Sequence, residues 1–269
     1  MSEVSSLFGG PAPAGSAITL YAHASPDYAA KVHATIELLK AAAFEHADKV
    51  VQATSLGVED MVVTDLIARH RLPIAIGTLE TGMLNPETAS LIGTIETHYA
   101  DAGIHVEVYK PVADAVIEFV RKNGEKAMYE SIDLRKACCG IRKLEPLGRM
   151  LAERSAWITG LRREQSNNRG DMAARESDDK GRAKFNPMID WTWGDVWHYV
   201  SVNHVPYNPL HDQFMPSIGC APCTRAIAVG EDFRAGRWWW EDEAAKECGL
   251  HVKPDHNLVS TLPQSRDSA

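Results

Sequence analysis

The stretch YAAKVHATIELLKAAAFEHAD places Val32, Ile36, Leu39 and Ala43 on one face at helical spacing. KVVQATS then reads as a short strand, and SLGVEDMVVTDLIARHRL turns out of it into a second helix. PIAIGTLE is an apolar run the size of a buried strand. NPETASLIGTIETHYADAG opens on Asn-Pro, runs with helical period and stops at Gly103. IHVEVYK alternates as a strand does, and ADAVIEFVRKNG is a helix with its own glycine stop. LEPLGRMLAERS predicts another helix, AWITGL another strand, and IDWTWGDVWHYVSVNH a late return to helix. RGDMAARESDDKGRAKFN is highly charged with few large apolar residues, and is expected to be a mobile surface loop.

Strands alternating with helices predict an α/β fold, a parallel sheet flanked by helices on both faces. Ligands of such sheets bind at the carboxyl ends of the strands. The segments that follow those ends are TSLGVED, TLETGMLNPET and TGLRREQSNNR. Three parts are expected: a loose lead-in over 1–17, the α/β domain over 18–240, and a mobile tail over 241–269.

Composition excludes several classes of function. The chain has 269 residues, 45% hydrophobic and 24% charged, which is enough apolar material for a sizeable core. A net charge of −8 leaves no surplus of cations for coating nucleic acid or an anionic membrane. No apolar run approaches the ~20 residues a membrane span needs. The N-terminus lacks the basic-then-apolar pattern of a secretory signal, so the expected compartment is the cytoplasm, where structural disulfides are rare.

Of the five cysteines, Cys138 and Cys139 form ACCG, Cys220 and Cys223 form GCAPC, and Cys248 stands alone in KECGLH. C-x-x-C lets two thiolates reach one metal or cluster from a turn. Adjacent cysteines point apart unless the backbone is kinked or the site has several corners. Spacing alone leaves zinc and an iron–sulfur cluster equally open, with two packed cysteine pairs or a thioredoxin-type redox pair as further readings.

Basic residues gather near these motifs: Arg135, Lys136, Arg142 and Lys143 around CC, Arg162 and Arg163 after a strand, Arg225 after C-x-x-C, and Arg234 and Arg237 in FRAGRWWW. Arginine forks and lysine point charges suit phosphate or sulfate oxygens. The backbone at Ser55 and Gly57, opening a helix, is a further candidate anion site.

TSLGVED, LETGMLNPET, KACCGIRKLEPL, ITGLRREQS, GCAPCTRAI, RAGRWWW and ECGLH occur in an order that resembles the assimilatory adenylyl-sulfate reductases. This family is related to the phosphoadenylyl-sulfate reductases. The resemblance runs from about residue 30 to 251. It implies an adenine-nucleotide α-hydrolase-like fold. It also implies a 4Fe–4S cluster on Cys138, Cys139, Cys220 and Cys223, with Lys143, Arg162, Arg234 and Arg237 contacting the phosphosulfate of the substrate. The cysteines favour adenosine 5′-phosphosulfate over its 3′-phosphorylated counterpart. Glu80 stands where the pattern has Asp.

The resemblance makes Cys248 the nucleophile. Its thiolate attacks the sulfate sulfur, AMP leaves, and an S-sulfocysteine remains, from which thioredoxin or a glutaredoxin releases sulfite. A homo-oligomer is also implied. Glu241, Asp242, Glu243 and Glu247 disfavour the Cys248 thiolate locally, so the thiol is expected to act only when the tail docks over the basic site. His251 lies three residues on. The alternatives are phosphoadenylyl-sulfate reduction or dual specificity, a tRNA-thiolating ATP pyrophosphatase, and a non-catalytic cluster-bearing sensor.

Overall fold

The computed structural model describes residues 15–165 and 172–241. The expected strands appear as β1 (Val50–Thr54), β2 (Ala75–Leu79), β3 (Val106–Tyr109) and β4 (Ala156–Ile158). Two more strands, β5 (Arg175–Ser177) and β6 (Ala183–Phe185), lie in the segment expected to be a mobile loop. The sheet runs β3-β2-β1-β4-β6-β5, parallel throughout except for the antiparallel β5–β6 pair.

The β5–β6 hairpin forms because its charges are paired. Lys184 meets Glu176 at 2.8 Å, Arg175 pairs with Glu45, and Phe185 goes into the core. The Asp178 carboxylate accepts from the N–H groups of Lys180 and Arg182, and Gly181 supplies the left-handed residue of the turn (φ 79). Alternation was present in RESDDKGRAKF, but charged residues on both faces hid it.

The helices are α1 (Ala17–Tyr21), α2 (Tyr28–His46), α3 (Val58–Arg69), α4 (Pro86–His98), α5 (Ala113–Asn123), α6 (Ile132–Cys139), α7 (Glu145–Met150) and α8 (Trp193–Asn203). α1 begins inside the segment expected as lead-in. Ser16 caps it, and the Ala17 N–H donates to Asp212 at 2.7 Å. α3 is buried on every side from Val58 to Ala68, as a helix apolar around most of its circumference must be. α8 starts on a capping box between Thr192 and Asp195. α6 was not predicted. Its apolar residues are few, and Ser131 supplies its cap by accepting from Leu134 N–H. No helix among the described residues is long and apolar enough to cross a membrane.

In this strand order, β1 is followed by β2 on one side of the sheet and neighboured by β4 on the other. The loops leaving β1 and β4 therefore part at their carboxyl ends, and the crevice between them is the topological position where such sheets bind ligands.

Candidate active site

A cleft opens at that crevice. Its floor is the β1 loop (Thr54, Ser55 and Gly57), the first turn of α3 (Glu59 and Asp60), and Thr159–Leu161 after β4. Leu56 carries the turn in a left-handed conformation (φ 62) that costs a non-glycine residue, and its side chain is fully buried. Asp60 stitches the two loops together. One carboxylate oxygen accepts from both the N–H and the hydroxyl of Ser55 at 2.7 Å, and the other accepts from Gly160 N–H at 2.9 Å. Burial, opposed by these hydrogen bonds, pushes Asp60 up to about 6. The Ser55 N–H expected to greet an anion is thus taken by Asp60, while Gly57 remains on the cleft wall as the N-cap of α3.

Gly160 has to be glycine here. A Cβ would stand 2.9 Å from the Asp60 backbone nitrogen, and that backbone is fixed in a buried helix. Gly160→Ala is expected to cost about 1–3 kcal/mol by overpacking, read as a lowered thermal midpoint.

Glu59 is also buried at this helix start. Arg162 Nε and Gln165 Nε2 each donate to its Oε1 at 2.9 Å. Arg162 was expected to contact substrate. The structure puts it behind the cleft wall instead, 1% exposed, held by Glu59 and Glu164 and lying over the Trp193 ring. A carboxylate buried in the first turn of α3 needs a cation, and Arg162 is that cation.

The opposite wall of the cleft is cationic, with Lys143, Arg234 and Arg237 lining it. Lys143 comes from a π-helical turn, Gly140–Leu144, that continues α6 directly after Cys139. Such turns are rare and re-aim side chains. Arg237 is buried. Its Nε donates to Cys223 O and its Nη1 to Ile218 O, each at 3.2 Å, and its guanidinium stacks on Trp238 at 4.6 Å. Gly219 leaves room for it, since a Cβ there would meet Arg237 Cζ at 2.6 Å. Arg135 and Arg234 also lie over the Trp238 ring. The first tryptophan of WWW is therefore the plate on which the arginines are arranged.

Cys138, Cys139, Cys220 and Cys223 are all buried and line one small cavity, together with Met83, Met128 and Trp238. The loop after β2 brings the two pairs together. Leu84 bridges to Cys220, Ala221 N–H donates to Met83 O at 2.7 Å, and Thr81 Oγ1 lies 3.3 Å from Cys220 Sγ. Arg142 reaches from the π-turn to Thr81 O at 2.7 Å. Glu80 acts locally, its carboxylate accepting from Gly82 N–H at 2.7 Å and so closing the turn. Burial, then neighbouring Cys220, pushes the Cys223 thiol up to about 11, and burial likewise raises Cys138. Among the described residues no group of three or more His, Cys, Asp or Glu is gathered closely enough to hold a metal ion. The four thiols share a cavity wall. Lys143, Cys220 and Trp238 line both this cavity and the cleft, so the two abut.

Glu241 lies one residue past the expected end of the domain and is folded into it. Arg135, fully buried, grips it with Nε at 2.9 Å and Nη2 at 2.7 Å. Its charge is paired with that of Arg135 there. Cys248 lies outside the described residues, as do Asp242, Glu243, Glu247 and His251.

Sequence reasoning missed His211. It lines the cleft and is 4% exposed, and the Met215 backbone acts on its ring through a hydrogen bond. Burial drives its pKa down to about 4. Below pH ~6.5 the unfolded chain takes up a proton that the folded chain refuses, so this residue's contribution to stability falls as pH drops towards 4. The expected loss is about 3 kcal/mol, measured by denaturant unfolding and absent from His211→Asn.

The comparisons with known proteins agree with this geometry. Residues 49–226 match the family model described as the phosphoadenosine phosphosulfate reductase domain. The chain is 55% identical over 219 residues to a protein of Allochromatium vinosum named adenosine 5′-phosphosulfate reductase, covering 81% of this chain and 84% of that one. Among solved structures, the phosphoadenylyl-sulfate reductase of Candida auris in a phosphate complex superposes with a TM-score of 0.59 at 26% identity, covering 72% of this chain and 90% of that one. The FMN adenylyltransferase of Candida glabrata, 12% identical with a TM-score of 0.52 over 95% of this chain and 82% of that one, shares the fold alone. The chain belongs to the phosphoadenosine phosphosulfate reductase domain family, alongside relatives named adenosine 5′-phosphosulfate reductase.

Proposed function

We propose that this protein reduces adenosine 5′-phosphosulfate to sulfite and AMP. One observation carries the reading: a cationic wall of Lys143, Arg234 and Arg237 stands at the nucleotide crevice of the sheet and abuts a cavity lined by four cysteines. The apolar side of the cleft, Leu79, Leu147, Met150 and Trp157, suits an adenine ring. The cationic wall suits the phosphosulfate. Arg237 is fixed before substrate arrives by Cys223 O, Ile218 O and the Trp238 ring, so it stabilises an attack on an anion at little reorganisation cost. Arg162 acts one step back, holding Glu59 and with it the start of α3.

Cys138, Cys139, Cys220 and Cys223 would hold a 4Fe–4S cluster. Their burial and common cavity, from two segments pinned by the β2 loop, fit such a group. When bound, it supplies a fixed electrostatic neighbour to Lys143. The reacting group is Cys248. Its thiolate forms a bond to the sulfate sulfur as the bond from sulfur to the AMP oxygen breaks, leaving S-sulfocysteine and AMP. A dithiol of the thioredoxin or glutaredoxin class then attacks Cys248 Sγ. Sulfite departs with the electron pair, and the second thiol of the reductant closes its own disulfide to free Cys248. This cycle requires reduced thiols, which supports a cytoplasmic setting. The resemblance to the reductase family supports a homo-oligomeric assembly.

Incubating the protein with adenosine 5′-phosphosulfate in the absence of reductant tests the reading. Intact-mass spectrometry and peptide mapping are expected to find a sulfonate on Cys248 and an equal amount of AMP in solution. AMP release without the adduct overturns the covalent route. Iron and sulfide analysis with a visible spectrum tests the cluster independently, and a colourless, iron-free protein purified under anaerobic conditions would contradict it.

A further inference from the structure

α2 turns one large apolar side chain to solvent near its end. Phe44 is 90% exposed, while Leu39, Ala42 and Ala43 of the same helix are buried in the core. A single exposed apolar side chain is ordinary, but Phe44 does not stand alone. It forms part of the rim of a groove at the amino-terminal ends of β2 and β3, floored by Leu72, Ile74, Ala75 and Ile104. Leu72 and Ile104 are partly exposed, so the floor offers apolar surface. The groove lies at the opposite edge of the sheet from the cleft, which opens at the carboxyl ends of the strands.

An aromatic knob and an apolar groove side by side on one face are self-complementary. Under a two-fold axis the knob of each copy enters the groove of the other, and the contact closes with two copies. The order of charges points to the same occupant. Lys40 lies four residues before Phe44, and Asp48 lies four residues after it, in the 3₁₀ turn Ala47–Lys49. Both line the groove. Lys40 pairs with Glu37 on its own helix yet its side chain stays half exposed. A two-fold axis reverses the direction of α2, so Lys40 of each copy approaches Asp48 of the other. Copies of a chain with a net charge of −8 repel one another in general. A cation and an anion on either side of the knob turn that repulsion into attraction at this face. An unrelated partner would have to supply a matching knob, a matching groove and the opposite charge order, whereas a second copy carries all three.

We infer that this face is the contact between two copies of the chain, with Phe44 of each seated in the groove of the other. The inference locates the homo-oligomeric assembly proposed above and does not depend on the reductase chemistry. Pairing at the amino-terminal edge of the sheet leaves both clefts open to nucleotide and reductant.

Sedimentation velocity on the full-length protein tests it. The wild type is expected to sediment as a dimer or a multiple of one. Phe44→Asp should shift it to half that mass, weakening association by about a hundredfold or more, because a two-fold contact counts each substitution twice. Lys40→Glu and Asp48→Lys should each weaken association about tenfold or more, and combining them, which exchanges the two charges, should restore it. Restoration by exchange is a result that local structural damage does not give. Circular dichroism and AMP binding should be the same in all of these variants, since the three side chains lie at the surface away from the cleft. A wild-type monomer overturns the inference and the proposed assembly together. An oligomer whose mass is unchanged by Phe44→Asp overturns this surface alone, whether another part of the chain or nothing covers the groove. Charge exchange that fails to restore association overturns the two-fold register. Sulfite release is a separate readout, so failure of the functional reading is distinguishable from each of these.

Discussion

Replacing Cys248 with serine is expected to lower sulfite release from adenosine 5′-phosphosulfate by on the order of a thousandfold or more, the scale of losing a covalent nucleophile. A hydroxyl at that position stays protonated at neutral pH and attacks sulfur poorly. The four buried cysteines cannot substitute. They are buried together in one small cavity, where the cluster they would hold engages them. AMP binding and any visible absorption should be unchanged, because the cleft wall and the cysteine cavity are built from other residues. Retained turnover in Cys248→Ser would remove the covalent route. A companion measurement addresses docking: alkylation of Cys248 should change in rate when AMP fills the cleft. Equal rates would sink the idea that the thiol is activated over the cationic wall.

Removing the Glu241 carboxylate is expected to have the largest effect on stability. Arg135 is completely buried and Glu241 nearly so, and they meet through two hydrogen bonds of a planar fork. Breaking such a pair from one side leaves a buried charge without its counter-charge and typically costs about 3–5 kcal/mol. Stacking of Arg135 on Trp238 recovers only part of this. Glu241→Gln should therefore unfold at markedly lower denaturant. Arg135→Met combined with Glu241→Leu should regain most of the loss, because apolar replacements need no partner. If Glu241→Gln proves neutral, the pair does not anchor this part of the chain. The same anchor bears on the proposed function, since Glu241 stands seven residues before Cys248, the proposed nucleophile. Glu241→Gln is expected to slow turnover even at temperatures where the fold persists.

Period and punctuation made most of the framework legible in the sequence. β1, β2 and β4 are short apolar stretches, β3 alternates, and α2, α4 and α5 carry helical spacing with glycine stops for the latter two, so the parallel sheet and its ligand-binding edge followed. The α6 helix and the β5–β6 hairpin did not, because their charged residues are satisfied by partners that period does not show, such as Glu45 for Arg175 across 130 positions. The site divides in the same way. Lys143, Arg234 and Arg237 were found because cations cluster visibly beside cysteine motifs, and they do line the cleft. Arg162 carried the same signal, yet its side chain answers Glu59, 103 positions away. Ser55 was read as an anion donor, but Asp60, five positions on, takes its N–H. His211 had no signal at all. A lone histidine in PLHDQF gains meaning only when Trp193, Trp197 and the cleft close around it.

The central claim is tested most directly by sulfite release from adenosine 5′-phosphosulfate and, in parallel, from its 3′-phosphorylated counterpart, with purified protein, thioredoxin and a source of reducing equivalents. The expected result is thioredoxin-dependent sulfite from adenosine 5′-phosphosulfate with one AMP per sulfite, and little from the 3′-phosphorylated nucleotide. No sulfite from adenosine 5′-phosphosulfate, under conditions where the protein is folded and binds AMP, would contradict it.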